Sequence, residues 1–85
     1  MITIYKRFYD FNNPNKLLLE TPIKIRNIID NNIFTYHLTN GGIVNLKPKK
    51  YIKILFNNIE YNYETEKDAT LFHNIIKPLL ILDNL

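Results

Sequence analysis

Apolar and polar positions alternate with period two along most of the chain, the pattern of strands with one face turned to a core. Ile2, Ile4 and Phe8 fall on one side of a segment running to Phe11, with Tyr5, Tyr9 and Phe11 on the other. Asn12-Asn13-Pro14-Asn15 predicts a turn, because proline presets φ and asparagine tolerates left-handed backbone. Lys16–Glu20 is then a short returning strand. Residues 21–30 read two ways. Thr21-Pro22 could cap a helix carrying Ile25, Ile28 and Ile29, whereas Ile23-Lys24-Ile25-Arg26 alternates as a strand does. The isoleucine-rich composition favours the strand.

Asn40-Gly41 between two apolar runs predicts a two-residue type I′ hairpin loop, with Leu38 opposite Ile43 and His37 opposite Val44. Residues 48–56 are again open, either a strand with Ile52, Ile54 and Phe56 inward or a short helix beginning at Pro48. Asn57-Asn58 turns the chain into Ile59–Glu64, a strand whose wet face holds Glu60, Asn62 and Glu64, where carboxylates are expected to titrate normally. Thr65, with Asp68 three residues on, opens a helix over about 66–77. Its apolar stripe is Ala69, Phe72, Ile76 and Leu79, widened by Ile75 and Leu80, and Pro78 should end or kink it near Lys77. The apolar segment 79–85 must then pack on the domain or on a partner. Together these elements predict one small α+β domain over residues 1–85. It comprises a strand meander over 2–64, making an antiparallel sheet or partly rolled barrel of five or six strands, with one C-terminal helix packed on it.

Composition changes the picture in two ways. Isoleucine (14), asparagine (13) and lysine (9) supply 36 of 85 residues, and serine, glutamine, cysteine and tryptophan are absent. Without cysteine or serine there is no disulfide scaffold, no thiolate metal site and no serine or cysteine nucleophile. The bias towards residues with A/T-rich codons reads as an AT-rich coding origin, of a bacterium, its phage or plasmid, or an organelle. It also discounts the lysines, some of which stand where another genome would use arginine. No run approaches the ~20 apolar residues of a membrane span, and no secretory signal is visible, so an intracellular, cytoplasmic protein without membrane attachment is expected.

Charge is segregated. The net +3 resolves into +2 over residues 1–30, +4 over 31–59 and −3 over 60–85. Lys47, Lys49, Lys50 and Lys53, beside Tyr51, are placed to hold a nucleic-acid backbone with little sequence preference, with Lys6 and Arg7 contributing if they share that face. The plainer reading is a solvated loop, or an internal match to the acidic 60–68 segment. Tyr5-Lys6-Arg7-Phe8-Tyr9 could stack bases if Tyr5 and Tyr9 were exposed together, but lacks the glycine–aromatic pattern of an RNA-recognition motif.

Catalysis is not expected. His37 and His73 are the only histidines, each read as ordinary and partly exposed, and no local spacing makes a metal site of them. Both glycines sit in a hairpin turn and cannot cradle phosphate ahead of a helix. No cofactor, metal or small-molecule ligand is anticipated. Two functions stay open. One is a non-catalytic binder of nucleic acid or a nucleoprotein complex, a regulator or a mobile-element factor that blocks a host nucleoprotein machine. The other is a protein–protein module or homodimer, using a strand edge or the apolar end at Leu79, Leu80, Ile81, Leu82 and Leu85.

Overall fold

The structure, a computed structural model, describes residues 1–29 and 32–83. Its strands are β1 (Ile2–Tyr9), β2 (Leu17–Ile28), β3 (Thr35–Leu38), β4 (Ile43–Asn45), β5 (Ile52–Phe56) and β6 (Ile59–Asn62), followed by helix α1 (Glu66–Asp83). They form one antiparallel sheet in the order β4-β3-β2-β1-β5-β6. The sheet does not close, so the barrel alternative falls away and the α+β reading stands.

The chain walks outward through β2, β3 and β4, then returns along 46–51 to the other side of β1. That return carries the lysine-rich stretch past the exit of β1, where the Tyr9 N–H donates to the Tyr51 carbonyl at 3.1 Å. The core lies between one sheet face and α1. Ile4, Ile25, Ile52 and Ile54 from the strands meet Phe72, Ile76 and Leu80 from the helix, all buried. Each such side chain contributes roughly 1.5–3 kcal/mol relative to exposure.

Both open segments are strands. Over 21–28 the chain continues β2 without a break, because Ile23 and Ile25 stand opposite Ile4 and Ile2 and extend the same buried face. Pro22, opposite Tyr5, marks the outer edge of β2. The neighbouring Lys24 carbonyl turns away from β1 to accept the Thr39 N–H at 3.1 Å, and Pro22, two residues along, turns the same way. Beyond Ile25–Ile28 β3 leaves β2, so among the described residues no strand lies beside the outer edge at Leu19–Ile23. Over 52–56 Ile52, Ile54 and Phe56 point inward, and the helix starting at Pro48 does not form.

The β3–β4 hairpin differs from the predicted register by one residue. Tyr36 faces Val44 and His37 faces Ile43, so the loop is Thr39-Asn40-Gly41 and Leu38 pairs with Gly42. A type I′ loop needs two residues with positive φ. Here Gly41 alone has it (φ 87°), while the Asn40 side chain instead accepts the Gly42 N–H at 2.8 Å. This is a three-residue loop with glycine in the left-handed position. The I′ geometry occurs at the other asparagine turn, where Asn57 (φ 50°) and Asn58 (φ 63°) join the facing residues Phe56 and Ile59.

Helix α1 starts as expected. The Asp68 N–H donates to Thr65 Oγ1 at 3.1 Å, and Asp68 Oδ2 accepts the N–H groups of Glu64 and Thr65, both at 3.0 Å. It does not stop at Lys77 but runs through Pro78 to Asp83. The proline removes a donor to the Asn74 carbonyl, yet Asn74 is solvent-exposed, and burial of Ile76 and Leu80 on either side holds the helix together. The buried stripe is Ala69, Phe72, His73, Ile76 and Leu80; Ile75 and Leu79, expected in it, stand outside. Consequently 79–83 is the last turn of the helix and no separate arm.

Candidate nucleic-acid interface

Successive residues of a strand point to opposite faces, and this decides the fate of the first two cations. Arg7 lies on the open face, away from α1, with Glu20 and Lys53 as its cross-strand neighbours. Its Nε donates to Glu20 Oε2 at 2.7 Å and its Nη1 to Glu60 Oε2 at 2.8 Å. The same Glu60 oxygen accepts the Tyr9 hydroxyl at 2.5 Å, and Lys53 Nζ lies 3.4 Å from Glu60 Oε1. Burial alone would raise the Glu60 pKa, but the bonds from Tyr9, Arg7 and Lys53 outweigh it and hold the carboxyl below its ordinary value. Glu60 is therefore no idle carboxylate on a wet face. It binds together three strands, and it neutralises the two cations, Arg7 and Lys53, that the sequence offers to a phosphate backbone.

The stacking strand is likewise committed elsewhere. Tyr5 is 37% exposed, but the Tyr9 ring lies under Lys53, whose Nζ is 5.1 Å from its centroid, and its hydroxyl is held by Glu60. The two tyrosines are not free together.

Lys6 points to the opposite face. Its Nζ is 5.1 Å from the centroid of the Phe8 ring, and no carboxylate among the described residues lies within ion-pairing distance of it. Burial and the nearby Lys49 charge push its pKa down. Lys47, Lys49 and Lys50 complete the group, exposed and without ion pairs among the described residues. The internal match to the acidic segment is thus made by Lys53 alone of the four lysines.

Tyr51 takes left-handed backbone (φ 69°), an uncommon conformation for a bulky residue costing on the order of 1–2 kcal/mol. It delivers the ring to Phe11, edge-on at 5.2 Å between centroids. Lys50 Nζ sits 5.6 Å from the Phe11 ring and 5.4 Å from Tyr51. Phe11 itself is 67% exposed. Sequence reading assigned Phe11 to a strand face and missed it as a site residue; its place at the strand exit, before an asparagine-rich turn, was the available signal. Of the candidate cations, Lys6, Lys47, Lys49 and Lys50 therefore remain without a carboxylate among the described residues, Lys50 stands with Phe11 and Tyr51, and Arg7 and Lys53 are taken up by Glu60.

The remaining candidates separate clearly. Leu80 is core, Leu79, Ile81 and Leu82 are exposed on the helix, and Leu85 lies outside the described residues. His73 is buried rather than partly exposed, its Nδ1 2.9 Å from the Tyr36 hydroxyl, while His37 is exposed on β3. Among the described residues no three potential metal ligands converge, and no helix is long and apolar enough to cross a membrane. Searches against protein-family models, curated proteins and solved structures found no match.

Proposed function

We propose that this protein is a non-catalytic binder of a negatively charged macromolecule, a nucleic acid or nucleoprotein complex, which it engages through Lys47, Lys49, Lys50 and Lys6 with Phe11 and Tyr51. One observation carries the reading: the cations that have carboxylate partners and those that do not are sorted in space. Arg7 and Lys53 share Glu60, whereas Lys47, Lys49 and Lys50 have no ion pair among the described residues and Lys50 lies over both Phe11 and Tyr51. Flexible ammonium groups hold phosphates without reading bases, and exposed rings add sequence-tolerant stacking, so single strands are the favoured form. Such a domain acts as a regulatory or inhibitory factor by occupying a phosphate track.

The test is titration of labelled single-stranded DNA, duplex DNA and RNA at 50 and 200 mM salt. Four phosphate contacts lower affinity roughly 50-fold on single strands and about a hundredfold on duplex between those salts. No binding at 50 mM would remove the proposal.

A second reading rests on a separate observation. Leu71, Ile75, Leu79 and Leu82, all exposed, form a stripe at helical spacing on the flank of α1 that faces edge strand β6, where Ile59 is also exposed. Antiparallel pairing of two β6 edges about a two-fold axis brings two such stripes together, giving a homodimer. Light scattering would find a dimer that Ile75→Glu with Leu79→Glu converts to a folded monomer; a wild-type monomer at high concentration would discard it.

A further inference from the structure

The hollow beside Lys6 has no place in the sequence reading, which anticipates no small ligand. It forms where β3 leaves β2, with a volume of about 640 Å³, within the range of sites that hold small molecules. Its walls are mixed. Phe8, Leu38 and Val44 supply apolar surface, while Thr21 and Asn40 bring polar groups to the rim and Lys6 and Lys24 supply the charge. Lys6 is the unusual member, a half-buried lysine beside the Phe8 ring and near the Lys49 charge, with no carboxylate among the described residues within ion-pairing distance. Desolvation and like-charge repulsion both disfavour its ammonium form, and both costs would fall if an anion entered.

We propose that this hollow is a binding site for one nucleotide, its phosphate held by Lys6 with Lys24 also on the wall, and its sugar and base lying against Phe8, Leu38 and Val44. The inference rests on the proposed function, since it makes the hollow a subsite of the same cationic surface. The nucleotide could arrive free or as one unit of a single strand. An ammonium that holds a phosphate beside an apolar wall discriminates in favour of an anion carrying a body, so a nucleoside monophosphate should outcompete inorganic phosphate.

The experiment is amide chemical-shift mapping of the full chain at 50 mM salt with three probes: inorganic phosphate, adenosine 5′-monophosphate and a ten-residue thymidine oligonucleotide. Adenosine monophosphate should shift the amides of Thr21, Ile23, Asn40 and Val44 at least tenfold more tightly than phosphate does. Lys6→Gln should abolish that response, and Lys6→Arg, which keeps the charge, should restore it, excluding a folding defect. Lys47→Gln with Lys50→Gln should leave it intact while weakening the oligonucleotide. If the monophosphate shifts only the 47–50 loop, or the hollow's response survives Lys6→Gln, the site is refuted. Oligonucleotide binding that keeps its full salt slope in Lys6→Gln would refute the hollow and reduce the wider reading to the loop lysines. Failure of all three probes to bind would end both. An oligonucleotide that shifts the hollow's amides while the free monophosphate does not would support the strand-borne nucleotide as the occupant.

Discussion

Two groups of cations lie within a short stretch of sheet and meet opposite fates. On the open face Arg7 and Lys53 converge on Glu60, and the Glu60 carboxylate is satisfied by three donors. Around the exit of β1, Lys6, Lys49 and Lys50 have aromatic rings and one another for company, and no carboxylate among the described residues. The difference comes from parity and connection. One step along β1 separates Lys6 from Arg7, and the return to β5 brings Lys53, across from Arg7, within reach of a glutamate on β6. A positive charge in a sequence is thus available to a partner only when strand alternation leaves it without an internal one.

The sharpest way to break the contrast is to reverse the free group. Lys47→Glu, Lys49→Glu and Lys50→Glu together should lower oligonucleotide affinity by at least a hundredfold at 50 mM salt, read by fluorescence anisotropy. Urea midpoints should move by no more than about 0.5 kcal/mol equivalent, as befits exposed positions. Next in size, Phe11→Ala should cost about tenfold on single strands and little on duplex, because stacking needs an unpaired base. If both substrates weaken equally, the ring serves only to place Lys50.

Freeing the committed group tests the other side. Glu60→Gln should destabilise the fold by about 1 kcal/mol in urea titration, the scale of partly exposed charged hydrogen bonds. It should also raise oligonucleotide affinity severalfold, since Lys53 loses its carboxylate partner while Arg7 keeps Glu20 alone. The smallest effect is a pH dependence. Glu60 and Asp68 both have carboxyls held below their ordinary values, so their contributions are full above about pH 4.3 and are lost as pH falls through the lowered folded values. His73, lowered by burial and by Lys77, adds a loss that begins earlier, as the unfolded histidine takes up its proton below about pH 6.5. Stability measured from pH 8 to 3 should therefore fall in two steps, and Glu60→Gln should shrink the lower one alone.

Much of this was legible in the chain. The α+β class, the strands at 2–9 and 59–62, and the Thr65 cap follow from local patterns that tertiary packing then reinforces, whereas 48–56 is open between strand and helix in its local pattern and its pairing with β1 decides it. What local pattern misread were cases where a distant contact decides. The Asn40-Gly41 loop has the composition of a type I′ turn, but it holds one more residue, which sets Val44 opposite the buried Tyr36, itself in contact with His73, while the turn it resembles forms at Asn57-Asn58. Pro78 is a helix breaker whose effect is overridden by Leu80, buried in the core. For the site, the loop lysines and Tyr51 could be named from composition and spacing. A match between the lysine loop and the acidic 60–68 segment was open from the charge layout, but that it would run through Glu60 to Lys53 and Arg7 was not, because that partnership spans the sheet and depends on its strand order.

Pro22 has a consequence of a different kind. The outer edge of β2 beside it carries exposed Leu19 and, among the described residues, has no strand covering it, which is the usual template for chain-to-chain growth into fibres. A proline there withholds the amide that an incoming strand would need, and the bulge beyond Leu19, where Tyr9 faces Leu17, breaks the line a second time. The same edge that borders the hollow beside Lys6 thus offers an incoming strand an interrupted row of donors.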